Sequence, residues 1–155
     1  MPDVTLRESG IVDVVFGQGV TVVTPVNLYG CRIGAQSFIG PFVEIQRGVV
    51  IGERCRVQSQ SFVCEQVTIG DDCFVAHGVM FINDGFRSGG PARGDRTAWE
   101  HTRIGHRVSI GSNATILPVE ICDDVVIGAG AVVVKDITEP GTYAGNPARR
   151  MGTDR

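Results

Sequence analysis

The chain has 155 residues and a formal net charge of −3 at pH 7, which is enough length for one domain and offers no basic footprint for nucleic acid. No apolar run is long enough for a membrane span, and Met1-Pro2-Asp3 opens no secretory signal, so the expected compartment is the cytoplasm. Aromatics make up only 6% and there are 21 glycines, so the expected core is Ile and Val, with glycine giving a permissive backbone at corners.

Residues 1–13 read as an irregular cap. From there an aliphatic recurs every six residues, at Val14, Val20 and Val26, then Ile33, Ile39, Ile45, Ile51, Val57, Val63, Ile69, Val75 and Phe81. Val26 and Ile33 are seven apart, which predicts an extra residue at that corner. The residue after the aliphatic is usually small, as in Ile33-Gly34, Ile51-Gly52 and Ile69-Gly70. Four places after the aliphatic comes a second inward slot, held by residues such as Ser37, Val43, Cys55 and Cys73. A period of six fits neither a helix nor a simple strand. It fits a solenoid of short strands with three faces per coil, giving about four coils up to Phe81. The five cysteines (Cys31, Cys55, Cys64, Cys73, Cys122) form no Cys-x-x-Cys pair, and the plain reading is small buried hydrophobes.

Residues 83–103 abandon the beat and are rich in Gly, Arg and Asp, which predicts a loop thrown out from a coil corner. The beat resumes at Ile104, Ile110, Ile116, Ile121, Ile127 and Val133, about two more coils over 104–139, with a short step between Ile116 and Ile121. The tail 140–155 is expected to close and cap the solenoid. The whole chain is thus one domain: coils over 14–82, a loop, coils over 104–139 and a tail.

The beat, the loop, the phrase Val126-Ile127-Gly128-Ala129-Gly130-Ala131 and the closing Ala144-Gly145-Asn146-Pro147-Ala148-Arg149 resemble the hexapeptide-repeat acyltransferases. That resemblance implies an all-β fold, a left-handed parallel β-helix, in a homotrimer with active sites between subunits. The phrases Phe62-Val63-Cys64-Glu65 and Met80-Phe81-Ile82-Asn83-Asp84 are similar to the branch that N-acetylates amino sugars carried on nucleoside diphosphates for bacterial surface polysaccharides. Where such proteins often carry Ser-His before the Phe-x-Cys-Glu stretch, this chain has Ser59-Gln60-Ser61.

The resemblance implies acetyl-CoA as co-substrate, lying along the C-terminal coils, with no metal. Small residues would let its pantetheine arm approach the backbone at Gly111, Ser112, Ala129 and Gly130. Lys135, Arg149 and Arg150 supply positive charge for its phosphates. Acetyl transfer to an amine needs a proton acceptor and donors aimed at the oxyanion. His77 is the candidate base, expected near Asn83 and Asp84 around one corner. Asn83 and Asp84 would orient the sugar amine, or else launch the loop as an Asx turn. Glu65 and Glu100 are candidates for sugar hydroxyls, and Arg87, Arg93 and Arg96 for the pyrophosphate. The coenzyme sulfur or solvent could take the proton in place of His77.

Three rivals stand beside this reading. An O-acetyltransferase of a small sugar or antibiotic would depend on His77 absolutely. A zinc protein of the carbonic-anhydrase type would use His77, His101 and His106. A non-catalytic scaffold would not bind CoA.

Overall fold

The computed structural model describes residues 3–152. Its only helix among them is a single 3-10 turn, Arg96–Ala98. Strands of two to four residues stack into three sheets of seven, six and eight strands, in the order expected when each coil adds one strand to each sheet. The architecture is a β-solenoid of about seven turns, a left-handed parallel β-helix.

The first face holds Ile11–Val12, Asn27–Tyr29, Glu44–Ile45, Phe62–Val63, Met80–Phe81, Thr115–Ile116 and Val132–Val133. The second begins at Val15–Phe16 and ends at Glu120–Ile121. The third begins at Thr21–Val22 and runs through Val125–Ile127 to the tail. All neighbours are parallel except the last pair, where Arg149–Arg150 returns antiparallel on Gly141–Ala144 and covers the final sheet edge. Regular structure starts at Ile11, earlier than Val14, and the loop rejoins the coils at Thr102.

Inside the prism the aliphatics stack directly. Ile33, Ile39, Ile45, Ile51, Ile69, Ile110, Ile116 and Ile127 are fully buried. Each contributes roughly 1.5–3 kcal/mol of transfer free energy. Cys31, Cys55, Cys64 and Cys73 are buried among them, and none of the five cysteines is in a disulfide. Burial pushes the Cys31 thiol up to about 11 and the Cys64 thiol up to about 12, so both stay protonated.

Two sequence expectations need correction. In the first coils the register is shifted by two. Phe16 pairs with Ile33, Val22 with Ile39 and Leu28 with Ile45, so these three continue the aliphatic column. Val14, Val20 and Val26 hold the second inward slot instead. Leu28 and Ile33 are five residues apart, so that corner lacks a residue where an extra one was expected. Both inward columns accept Val, which is why the pattern alone could be threaded either way.

The second correction concerns glycine. The left-handed backbone falls two places beyond the usual Gly position, where glycine supplies it at Gly19, Gly48, Gly78 and Gly130 as expected, while Gln36, Phe42, Arg54, Gln60, Gln66, Asp72, Arg107, Asn113 and Asp124 adopt it without glycine. Glycine directly after the aliphatic answers to crowding. A Cβ on Gly34 would lie 2.4 Å from the Gly52 carbonyl, and one on Gly111 2.4 Å from the Ala129 nitrogen. The coils approach too closely there for any side chain.

Candidate functional site

The three edges of the prism differ in chemistry. The edge between the second and third faces is saturated with ion pairs. Arg54 binds Asp72 through two nitrogens at 2.7 and 3.0 Å, and Arg107 binds Asp124 at the same two distances. The arginines hold both carboxyls below the usual carboxylate range. His106 sits here too, its Nδ1 accepting the Asp71 N–H at 2.9 Å.

The edge between the third and first faces carries His77. The corner residues stack one coil apart, so Ser59 lies above His77, and Ser112 and Ala129 lie below it. A backbone ladder fixes the column: Gly78 N–H to Ser59, Asn113 N–H to His77 and Gly130 N–H to Ser112, at 3.0, 2.9 and 2.8 Å. His77 is exposed, and its Nδ1 lies 2.7 Å from the Ser59 Oγ. That bond orients the ring and leaves Nε2 toward solvent. When Ser59 accepts, Nε2 carries the free lone pair that a general base requires. Gly111, Ser112, Ala129 and Gly130 continue this same edge through the next two coils. Nothing lies within 4 Å of a Cβ built on Gly130, so the surface there is open. The structure therefore joins His77 to the four small residues read as the pantetheine track.

Sequence reading missed Ser59. Its signal was the coil length: residues 59 and 77 are one full coil apart, so they must stack.

The edge between the first and second faces is irregular in length and launches the loop. Ile45 to Ile51 takes six residues, Ile116 to Ile121 five, and Phe81 to Ile104 takes the whole excursion. Asn83 and Asp84 lie here, so they flank the Met80–Phe81 strand on the side away from His77. The strand residues between them span more than about 10 Å at roughly 3.3 Å each. Within one chain His77 and Asn83-Asp84 do not share a corner, contrary to the sequence expectation. Six residues is one face of the prism, and it carries the chain from one edge to the next.

Both loop-launching residues are also occupied. The Asn83 side-chain amide donates to the Glu65 backbone carbonyl at 3.1 Å, and the Asn83 backbone carbonyl accepts the Glu100 N–H. The Asp84 carboxylate accepts the N–H groups of Phe86 and Ala92 at 3.0 and 2.7 Å, closing the loop on itself. Arg87 pairs with Glu100 at 2.5 Å and Arg96 with Glu65 at 2.6 Å. Arg93 is exposed and, among the described residues, has no ion pair. Beside the loop's return an open groove of ≈ 360 Å³ is lined by Arg47, Gly48, Glu65, Gln66, Thr68, Arg96 and His101.

At the C-terminal end, Lys135, Arg149 and Arg150 line a second groove of ≈ 290 Å³ with Tyr143 and Ala148. Arg150 is partly engaged by Glu139 at 2.9 Å. The structure gathers these three cations in one groove, but Lys135 follows the Val132–Val133 strand and so stands on the loop-launching edge rather than on that of His77. His77, His101 and His106 lie on three different edges, and no cluster of metal-ligating residues occurs among the described residues. Among the described residues no helix is long and apolar enough to cross a membrane.

Comparison with known proteins bears on this geometry. The bacterial transferase hexapeptide family (six repeats) matches residues 30–65, and the hexapeptide repeat of succinyl-transferase matches residues 101–135. The chain is 34% identical to a serine acetyltransferase of Mycobacterium tuberculosis, over 71% of this chain and 45% of that protein. It is 31% identical to the bifunctional protein GlmU of Latilactobacillus sakei, over 87% of this chain and 29% of that one. The chain therefore spans less than half the length of these two relatives. AntD, an N-acyltransferase from Bacillus cereus solved with dTDP and 3-hydroxybutyryl-CoA, superposes with a TM-score of 0.77 at 19% identity, over 92% of this chain and 82% of that chain. The acetyltransferase domain of PglB from Neisseria gonorrhoeae superposes with a TM-score of 0.66 at 24% identity, over 89% and 57%. At such identities the likeness is one of fold. Repeat matches and fold agree that the chain carries hexapeptide repeats and is built as the hexapeptide transferases are.

Proposed function

We propose that the protein is an acyltransferase that moves acetyl from acetyl-CoA to the amino group of a nucleoside-diphosphate-linked deoxy amino sugar, in bacterial surface polysaccharide synthesis. The observation that carries the acyl-transfer step is the Ser59–His77 pair standing directly above the open column of Ser112, Ala129 and Gly130. A thioester stretched along that column ends at the imidazole. Lys135, Arg149 and Arg150 hold the cofactor's phosphates at the far end.

The acceptor amine attacks the thioester carbonyl as His77 Nε2 takes its proton. Collapse of the tetrahedral intermediate breaks the C–S bond, and the thiolate leaves with that proton. Adjacent protomers in a homotrimer supply the rest of the cleft, since ligand sites favour crevices between packed units. This is how Asn83, Asp84 and the loop come to serve a site they do not reach within their own chain. The nucleotide and amine parts of the reading are supported by AntD, which was solved with dTDP and acts as an N-acyltransferase. A chemistry that uses acetyl-CoA and leaves free thiols unpaired suits the cytoplasm.

The serine acetyltransferase relatives and a structural neighbour that is a maltose O-acetyltransferase from Clostridium difficile favour a second reading, transfer to a hydroxyl. One experiment separates the two. A panel of amino-sugar nucleotides, free sugars and serine is incubated with acetyl-CoA while thiol release is followed. Turnover with the amine acceptors, and only partial loss in His77→Ala, supports N-acetylation. Turnover confined to hydroxyl acceptors, with near-total loss in His77→Ala, replaces it. No thiol release with any acceptor refutes both.

A further inference from the structure

We infer that the groove at the loop's return is the subsite for the substrate's diphosphate, with Arg47, Arg96 and His101 as its donors. This deepens the nucleotide part of the reading above and rests on it. Three segments far apart in sequence converge on the groove: the corner after Ile45, the corner after Val63, and the loop from Arg96 to His101. Its ≈ 360 Å³ falls in the range of about 300–1,000 Å³ typical of small-molecule sites.

The disposition of charge points to an anion. On the ion-paired edge Arg54 and Arg107 are each saturated by two-point contact with an aspartate. Arg47 has no ion pair among the described residues, although it stands one coil above Glu65. Glu65 is committed to Arg96, whose Nη2 it takes at 2.6 Å. The Glu65 side chain is only 17% exposed, so the guanidinium is held by a nearly buried anchor. Nε and Nη1 of Arg96 have no protein acceptor among the described residues. Trp99 packs beside the same guanidinium, its ring centre 5.9 Å away. With Glu65 and Arg96 cancelling, Arg47 leaves the groove net positive in a chain that is acidic overall. His101 adds an N–H donor and Thr68 a hydroxyl. The fork of a guanidinium matches phosphate oxygens better than any neutral ligand. Gly48, at the groove's floor, has open space where a side chain would stand. A diphosphate fits this set better than a single phosphate, since two guanidinium groups and a ring N–H are spread over two corners.

Calorimetry with inorganic pyrophosphate, UDP and dTDP tests the assignment, on the full chain and on Arg47→Gln and His101→Gln. Both variants change exposed side chains, so thermal melting should stay at the wild-type midpoint. Wild type is expected to bind pyrophosphate and at least one nucleotide, more weakly as salt rises. Arg47→Gln should weaken both about tenfold or more, and His101→Gln less, with CoA binding unchanged. If pyrophosphate binds and depends on Arg47 while neither nucleotide binds more tightly, the anion subsite stands and the nucleotide reading falls. If wild type binds none of the three, or Arg47→Gln binds them as wild type does, the subsite is wrong. Loss of CoA affinity in Arg47→Gln would also overturn it, because the groove would then hold the coenzyme's phosphates.

Discussion

Two edges of the same prism show how one repeat can be spent in different ways. On the ion-paired edge each corner arginine is paired with an aspartate of the adjacent coil, and Glu53 pairs with its neighbour Arg54. Arg54, Asp72, Arg107, Asp123 and Asp124 form a closed ladder. On the edge of His77 the corner residues are Pro41, Ser59, His77, Ser112 and Ala129, and the only side-chain bond among them is the one from Ser59 to His77. The backbone hydrogen bonds are the same on both edges, so the difference lies in side chains alone. A closed ladder leaves no group free for a ligand, whereas a column of small residues under an exposed imidazole leaves room and one reactive atom.

If that contrast is right, substitutions on the two edges should damage different properties. The largest effect is expected from Gly34→Val, on the ion-paired edge. Its Cβ would meet the Gly52 backbone at 2.4 Å, a contact no rotamer relieves. Circular dichroism should show loss of the cooperative thermal transition. A folded variant with a wild-type midpoint would refute the close-stacking account of glycine here.

His77→Ala should leave the melting midpoint intact and lower kcat/KM by about 10²-fold, the low end of a positioned base's contribution, with residual turnover still measurable because the coenzyme sulfur or solvent can take an amine's proton. Steady-state kinetics beside a melting curve checks both halves. A fall in stability with activity preserved would move His77 to a structural role.

Ser59→Ala should lower kcat/KM less, about tenfold, because it releases the ring without removing it. The fall should lie in kcat with the KM for acetyl-CoA unchanged, and Ser59→Thr should restore kcat. An unchanged kcat would mean that the hydroxyl does not act through the imidazole.

The smallest effect concerns the ladder itself. The depressed carboxyls of Asp72 and Asp124 favour the folded state at pH values above their ordinary value near 3.8, and that contribution is lost as pH falls through their lower folded values. Thermal midpoints measured down an acid series should therefore fall more steeply in wild type than in a protein lacking Arg54 and Arg107. These pairs are exposed, so the difference should shrink in high salt. Parallel curves at low salt would show that the ladder is decorative.

How much of this was legible in the sequence follows from what a period of six encodes. The stacked Ile and Val, the loop after Phe81 and the returning tail all break or keep the beat, so they could be read directly. The buried cysteines could be read because Cys55 and Cys73 occupy the inward slot. The start of the first coil could not, since Val14 and Phe16 are both apolar and either column accepts them. The role of Gly34 was misread because crowding between coils depends on the stacking distance, which no single strand reveals. His77 was placed beside Asn83 by counting one repeat, but one repeat is one face and two different edges. Counting a whole coil instead would have found Ser59.

The most direct measurement is an amide chemical-shift map of the isotopically labelled protein during titration with CoA. The signals of His77, Ser112, Ala129 and Gly130 should move together, followed by those of Lys135 and Arg149, while Arg54, Asp72 and Arg107 stay still. Shifts confined to the ion-paired edge, or a saturating titration that leaves the Ser112–Gly130 column unmoved, would contradict the assignment of the His77 edge to the cofactor.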